Sequence, residues 1–225
     1  MTDLLSIEER RLSEQERLDR LRSADERNEW GQFATPPPLA VDILRLAQTL
    51  WNGNERVRFM DPAIGTGSFY SALLKVFGSE QVAAAHGIEL DPLFAEMAAS
   101  LWEKTGLSVA NADFTTQRPP QNTKYNLLIS NPPYVRHHHM TAEYKAALKR
   151  SVLERVGIRT SGLAGLYTSF LLLCDSWLEP GALSIWLIPS EFMDVNYGDA
   201  VREYLTSKVD LLRISSLLPF RYPVL

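Results

Sequence analysis

With 225 residues, 45% of them hydrophobic, the chain can bury a sizeable single core and is short for two domains. A formal net charge of -4 excludes a surface that is basic all over, so any contact with nucleic acid has to be local. The lone Cys174 cannot close an internal disulfide and sits in an apolar run, which points to a reducing, cytoplasmic setting. No stretch approaches the roughly 18 uninterrupted apolar residues of a membrane span.

In chain order, residues 3–27 read as one charged helix, with Leu4, Leu5, Leu12, Leu18 and Leu21 gathered roughly on one side. Residues 1–28 thus form a helical arm ahead of a domain spanning 29–225. Residues 29–38 are irregular, because Pro36, Pro37 and Pro38 forbid regular helix before Leu39, and helical spacing resumes over 39–51. The pattern then alternates: strand 57–60, helix 68–77, strand 82–88, helix 92–104, short strand 108–110 and strand 125–130. Beyond a loop come helix 141–153, an apolar helix 163–177, strand 182–188, helix 199–206 and strand 211–217. Such alternation implies an α/β fold, a doubly wound and mostly parallel sheet with helices on both faces.

Ligands of such a sheet sit outside the carboxyl ends of the strands, near the reversal of strand order. The first strand runs into Asp61-Pro62-Ala63-Ile64-Gly65-Thr66-Gly67, where the glycines allow close backbone approach and the following helix start offers free N–H groups. No lysine follows the second glycine as in a phosphate-binding P-loop, and the third glycine of the dinucleotide fingerprint is missing. A tight turn holding no ligand is the alternative for this Gly-x-Gly. The second strand brings Glu89 about twenty residues beyond the glycines, where a carboxylate can grip a ribose diol. Asp91 already fits the cap before Pro92, which leaves Glu89 without a structural duty. The third strand ends at Asp113 and Phe114, an acceptor for an adenine amino group beside a ring that can cover the base. An aspartate here is otherwise a turn residue, so this reading depends on the three sites lining one crevice.

The fourth strand delivers Asn131-Pro132-Pro133-Tyr134, the most specific feature of the chain. Two prolines after a strand make a rigid extended turn whose nitrogens cannot donate, so carbonyls and the Asn131 amide oxygen are presented without competing donors. That suits an amino group on a conjugated ring, whose lone pair becomes nucleophilic when acceptors hold its hydrogens. Tyr134 can stack on an extruded base, an interaction worth ~1 to 3 kcal/mol in nucleic-acid complexes.

Taken in this order, the motifs resemble the DNA adenine-N6 methyltransferases of restriction-modification type, in the gamma arrangement, over residue 29 to about 217. In that arrangement an upstream cofactor motif precedes the glycine-rich loop, and Gly31-Gln32-Phe33-Ala34-Thr35-Pro36 looks like it, with Thr35 at the position that contacts the methionine part. The resemblance implies S-adenosylmethionine as cofactor, S-adenosylhomocysteine as product, and no metal. It implies that Asp61, Pro62, Ala63, Gly65 and Gly67 form the methionine-side pocket, Glu89 the ribose contact, and Asp113 with Phe114 the adenine contact. Asn131 and the Pro132 carbonyl would hold the target amine, Pro133 would shape the cofactor wall that Asn131 borders, and Tyr134 would stack on the flipped adenine. Leu166, Tyr167, Phe170 and residues 188–192 match elements that wall the target pocket, though core packing explains them equally well.

Arg136, Lys145, Lys149, Arg150, Arg155 and Arg159 make the stretch after this turn locally basic, so that it either meets DNA phosphates or is a solvated helix face. His137, His138 and His139 are adjacent and lack ligand partners at metal spacing, so they read as part of that loop. No segment plays the part of a target-recognition domain, which implies a further domain or a specificity subunit, with a restriction endonuclease as a possible partner. Competing readings are a protein glutamine-N5 methyltransferase, which uses the same acceptor logic, and a cofactor-binding subunit that positions DNA in a defence complex. Cytosine-N4 chemistry fits less well, because serine commonly stands at the Asn131 position in those enzymes.

Overall fold

A computed structural model describes residues 4–23, 26, 31, 33–52, 55–121 and 123–216. Five strands form one sheet: β1 (Val57–Asp61), β2 (Val82–Glu89), β3 (Leu107–Asn111), β4 (Tyr125–Ser130) and β5 (Leu178–Trp186). Their order is β3-β2-β1-β4-β5 and every pairing is parallel. The chain therefore winds outward from β1 through β2 to β3, returns, and continues on the other side from β4. The reversal falls between β1 and β4, which opens a crevice at their carboxyl ends.

Alternation along the strands assigns the helices to the two faces. Phe59, Leu127 and Ile129 face one layer, built by α2 (Pro37–Leu50), α3 (Ser68–Phe77) and α4 (Pro92–Trp102). Met60 and Leu128 face the other, built by α5 (Ala142–Val156), α6 (Leu166–Leu173) and α7 (Asp199–Ser207). β4 is buried at every position, as a central strand of a doubly covered parallel sheet must be. The doubly wound expectation holds, and helix 68–77 and strand 125–130 stand at their expected limits.

Four expected elements differ. The helix expected over 3–27 is α1 (Leu4–Arg20), which stops at a tight turn where Leu21 N–H donates to the Leu18 carbonyl. Ser23 and Glu26 then exchange reciprocal capping hydrogen bonds, a pattern that starts a helix and does not continue one. Residues 24, 25 and 27 of the expected helix and residues 29, 30 and 32 of the expected irregular segment lie outside the described residues. The apolar helix expected over 163–177 is regular only over Leu166–Leu173, because Gly165 precedes it and a 3-10 turn over Cys174–Trp177 ends it. β5 begins earlier than expected, at Leu178, passing a register shift against Tyr125 that Gly181 permits at φ +79°. Finally, residues 211–216 form no strand. Leu211, Leu212 and Ile214 are exposed, so their apolar alternation has no partner among the described residues.

These assignments set a contrast in stability. Leu127→Ala, at a fully buried site beneath α2 to α4, is expected to cost about 2–5 kcal/mol in urea unfolding. Leu212→Ala, 63% exposed, is expected to change stability by less than about 0.5 kcal/mol.

Candidate active site

The strand ends converge on one cleft that is open to solvent. The Gly-rich turn after β1 supplies Pro62, Ala63 and Gly65, while β2 and β3 supply Glu89, Asp113 and Phe114. Asn131 and Pro133 come from the turn after β4. Asp61, Gly67, Thr35, Pro132 and Tyr134 are not among its lining residues. The condition set by the sequence, that three strand ends share one crevice, is met.

Asp61 is the keystone of the turn. Its Oδ1 accepts from the Ser130 hydroxyl (2.9 Å) and from Ala63 N–H (3.1 Å), joining the ends of β1 and β4. Burial raises its carboxyl from the ordinary 3.8 to about 7 despite both hydrogen bonds, with the Glu89 charge adding to the rise. Gly67 caps α3 at φ +92°, and a side chain there would strike the Trp102 indole, whose Nε1 donates to the Thr66 carbonyl (2.9 Å).

Glu89 is held from two sides: Oε2 accepts from Gly65 N–H and Oε1 from Asp91 N–H, each at 2.9 Å. Burial raises its carboxyl above the usual range, with these amides opposing the rise. Asp91 caps α4 through Leu93 N–H, as its place before Pro92 suggests. Asp113 takes the turn role weighed for it and also faces the cleft. Its Oδ1 caps the following turn through Thr115, and its Oδ2 accepts from the Tyr144 hydroxyl (3.2 Å) while the residue lines the cleft. Burial moves the Tyr144 hydroxyl up to about 12. Phe114 packs beneath, its ring centroid 5.0 Å from Phe170.

At the turn after β4, Asn131 Nδ2 donates to the Phe33 carbonyl (3.0 Å) and the Thr35 hydroxyl (3.2 Å), which fixes the amide so that Oδ1 faces Tyr134. The Tyr134 hydroxyl lies 2.5 Å from that Oδ1 and 2.8 Å from the Leu187 carbonyl. The upstream segment reaches this turn through Gly31, whose carbonyl accepts from Tyr134 N–H (3.2 Å). Gly31 has φ +62°, and a Cβ there would lie 2.4 Å from the Tyr134 nitrogen, so only glycine lets the two backbones touch.

Sequence reasoning missed Gln15, Asp19, Leu90, Phe94 and Tyr144, all of which line the cleft. Gln15, Asp19 and Tyr144 carry no local signal, since α1 and α5 reach the site only by tertiary packing, whereas Leu90 directly follows Glu89 and Phe94 lies in the first turn of α4. Of the basic stretch, Arg136, Lys149, Arg150 and Arg159 are exposed. Arg155 instead turns inward to the Ser176 hydroxyl (2.9 Å), which makes it a bridge between α5 and the turn before β5 and removes it from any phosphate-facing set. Burial raises the Cys174 thiol well above its usual value, in keeping with its reading as a small core hydrophobe. Among the described residues no helix is long and apolar enough to cross a membrane.

A model of the Eco57I restriction-modification methylases matches residues 68–222, more than half of the chain. The chain belongs to that family. It is 31% identical over 193 residues to the type II methyltransferase M.XamI of Xanthomonas campestris pv. amaranthicola, covering 84% of this chain and 35% of that protein. With the type II methyltransferase M.AccI of Acinetobacter calcoaceticus it shares 29% identity over 197 residues, 85% of this chain and 34% of the other. The chain thus spans about a third of the length of these curated relatives. Its fold is shared with the type I restriction-modification methyltransferase subunit from Streptococcus thermophilus (TM-score 0.62, 16% identity, 77% of this chain, 38% of that one). It is also shared with a SAM-dependent O-methyltransferase from Thermotoga maritima (TM-score 0.51, 14% identity, 83% and 56%). The architecture is that of class I S-adenosylmethionine-dependent methyltransferases.

The environment of Asp61 gives a pH dependence. Its folded value lies above its ordinary one, so ionisation is opposed by folding, and the contribution of Asp61 is fully present at low pH and lost as pH rises through about 7. Urea unfolding of wild type should lose stability between about pH 4 and about pH 7, and Asp61→Asn should flatten that slope. An unchanged slope would remove Asp61 as its source.

Proposed function

We propose that this chain carries the catalytic part of a DNA methyltransferase that methylates the exocyclic N6 amine of an adenine extruded from the duplex. The observation that carries the reading is the Asn131 amide, locked by Phe33 and Thr35 with its acceptor oxygen at the mouth of a cleft fit for adenosine. The motif order follows the gamma arrangement, with the strap over 31–35 ahead of the Gly-rich turn. The described residues lining the cleft include Asp19, Glu89 and Asp113 and no Lys or Arg. That set of acidic acceptors fits a cationic adenosyl ligand and disfavours a polyphosphate.

In this reading Glu89 holds the ribose diol, Asp113 and Phe114 the adenine, and Pro62, Ala63 and Gly65 the methionine side of S-adenosylmethionine. Thr35, Asp61 and Gly67 keep those walls in place, and Asn131 and Pro133 border them. The bound cofactor supplies an electrophilic sulfonium methyl, and S-adenosylhomocysteine is the product. Asn131 Oδ1 and the Pro132 carbonyl accept the two hydrogens of the target amine, which raises the electron density on its nitrogen and orients it for displacement. In the free protein the Tyr134 hydroxyl holds the same Oδ1, so the entering amine replaces one donor by another and Oδ1 is never left unpaired. The Tyr134 ring then stacks on the base. Exposed Arg136, Lys149, Arg150 and Arg159 meet phosphates around the extruded nucleotide. Recognition of a particular sequence resides in a further domain or a specificity subunit, and a restriction endonuclease is the natural counterpart.

Calorimetric titration tests the pocket, with S-adenosylmethionine expected to bind and adenosine triphosphate not. Transfer of labelled methyl to duplex DNA, followed by nucleoside analysis, should give N6-methyladenine. Asn131→Ala is expected to lower transfer about a hundredfold or more while cofactor binding is largely kept. Label appearing in N4-methylcytosine or in protein glutamine would replace the adenine reading. Unaltered transfer in the variant would leave Asn131 as scaffold.

A further inference from the structure

α1 presents to the domain a stripe that is polar where a packed helix normally carries leucines. Glu8, Arg11, Gln15, Asp19 and Arg22 recur at intervals of three and four, hence on one side of a helix and the turn after it. Arg11 is 2% exposed, forms a fork with Glu8 (2.7 and 2.6 Å) and donates to the Thr66 hydroxyl (3.2 Å). Glu8 in turn accepts from the Ser71 hydroxyl (2.6 Å). Thr66 donates to Gln15 Oε1 (2.8 Å), and Gln15 Nε2 donates to Asp19 Oδ1 (2.9 Å). Arg22 closes the series in an ion pair with Asp91, two residues beyond Glu89.

The buried Arg11–Glu8 pair is costly to leave without its outer hydrogen bonds, which run to the Thr66 hydroxyl and from the Ser71 hydroxyl and so tie α1 to the Gly-rich turn and α3. α1 is therefore fixed in one register across the Gly-rich turn and the end of β2. The outcome of that register is that Gln15 and Asp19, and no other residue of α1, line the cleft. Hydrophobic packing through Leu18 alone would hold a helix in place without ordering a polar chain from Thr66 through Gln15 to Asp19.

We propose that α1 is a wall of the cofactor pocket, in which Asp19 binds the ammonium group at the amino-acid end of the adenosyl ligand and Gln15 is the residue that positions it. The proposal rests on the reading of the cleft as an S-adenosylmethionine site. Two features favour the amino-acid end. Asp19 is joined through Gln15 to Thr66 of the Gly-rich turn, the methionine side in that reading, and the ribose already has Glu89 as its carboxylate partner. A second carboxylate beside the diol would add repulsion, whereas beside an ammonium group it supplies a charge-assisted hydrogen bond.

Calorimetry on wild type, Asp19→Asn and Gln15→Ala, with S-adenosylmethionine and with 5′-methylthioadenosine, which lacks the amino-acid end, tests this. Asp19→Asn is expected to weaken S-adenosylmethionine about tenfold or more, to leave methylthioadenosine unchanged, and to keep the melting temperature of the free protein. Gln15→Ala should shift the same ligand in the same sense by a smaller factor. Equal weakening of both ligands would overturn the contact in favour of a structural role for α1. Unchanged binding in the variants, with wild type binding normally, would overturn the proposal and leave the cofactor reading standing. A folded wild type that binds neither ligand would overturn both.

Discussion

One buried hydrogen bond, from the Ser130 hydroxyl to the Asp61 carboxyl, ties together the carboxyl ends of the two strands between which the sheet reverses direction. Every part of the site is built outward from it. Asp61 also takes Ala63 N–H and so sets the start of the Gly-rich turn, whose Gly65 amide reaches Glu89 at the end of the next strand. Ser130 is followed by Asn131, so the same bond fixes where the acceptor amide leaves the sheet. A carboxyl group buried this completely resists ionisation, and its donors offset only part of that cost.

The cleft between these ends is closed by segments that come earlier in the chain than the sheet. Gly31 lies against the Asn131–Tyr134 turn by a backbone contact that only glycine permits, and the Phe33 carbonyl and the Thr35 hydroxyl serve as two acceptors for the Asn131 amide. α1 lies over the Gly-rich turn through a chain of charged and polar partners. Both devices give orientation more than stability: a glycine contact and a buried ion pair contribute little net free energy, and each specifies a single geometry. The site is thus assembled from both sides of β1, with the sheet as the fixed frame.

The family match begins at Ser68, immediately after the Gly-rich turn, and takes in Glu89, Asp113 and the Asn131–Tyr134 turn. The strap over 31–35 and α1 lie upstream of it. Parts of the cleft wall therefore lie upstream of the matched residues. The solved structures of the same fold, at 14–16% identity, agree in architecture alone.

Much of this molecule was legible in its sequence. Strand and helix alternation, the buried run of β4, and the residue types at four successive strand ends determined a doubly wound sheet and the place of its cleft, because periodicity and turn chemistry are local properties. The Ser23 and Glu26 capping pair was equally local and could have corrected the overlong first helix. The strand expected over 211–217 failed for a different reason: alternation describes a face that could be buried, and no partner covers Leu211, Leu212 and Ile214 among the described residues. Tertiary structure alone decided that Arg155 turns inward, that Tyr134 rests on the Asn131 oxygen, and that Gln15 and Asp19 enter the cleft. Each of these depends on groups far apart in sequence, such as Thr66 for Gln15 and Leu187 for Tyr134, and no local pattern encodes which side of a helix or turn such partners will meet.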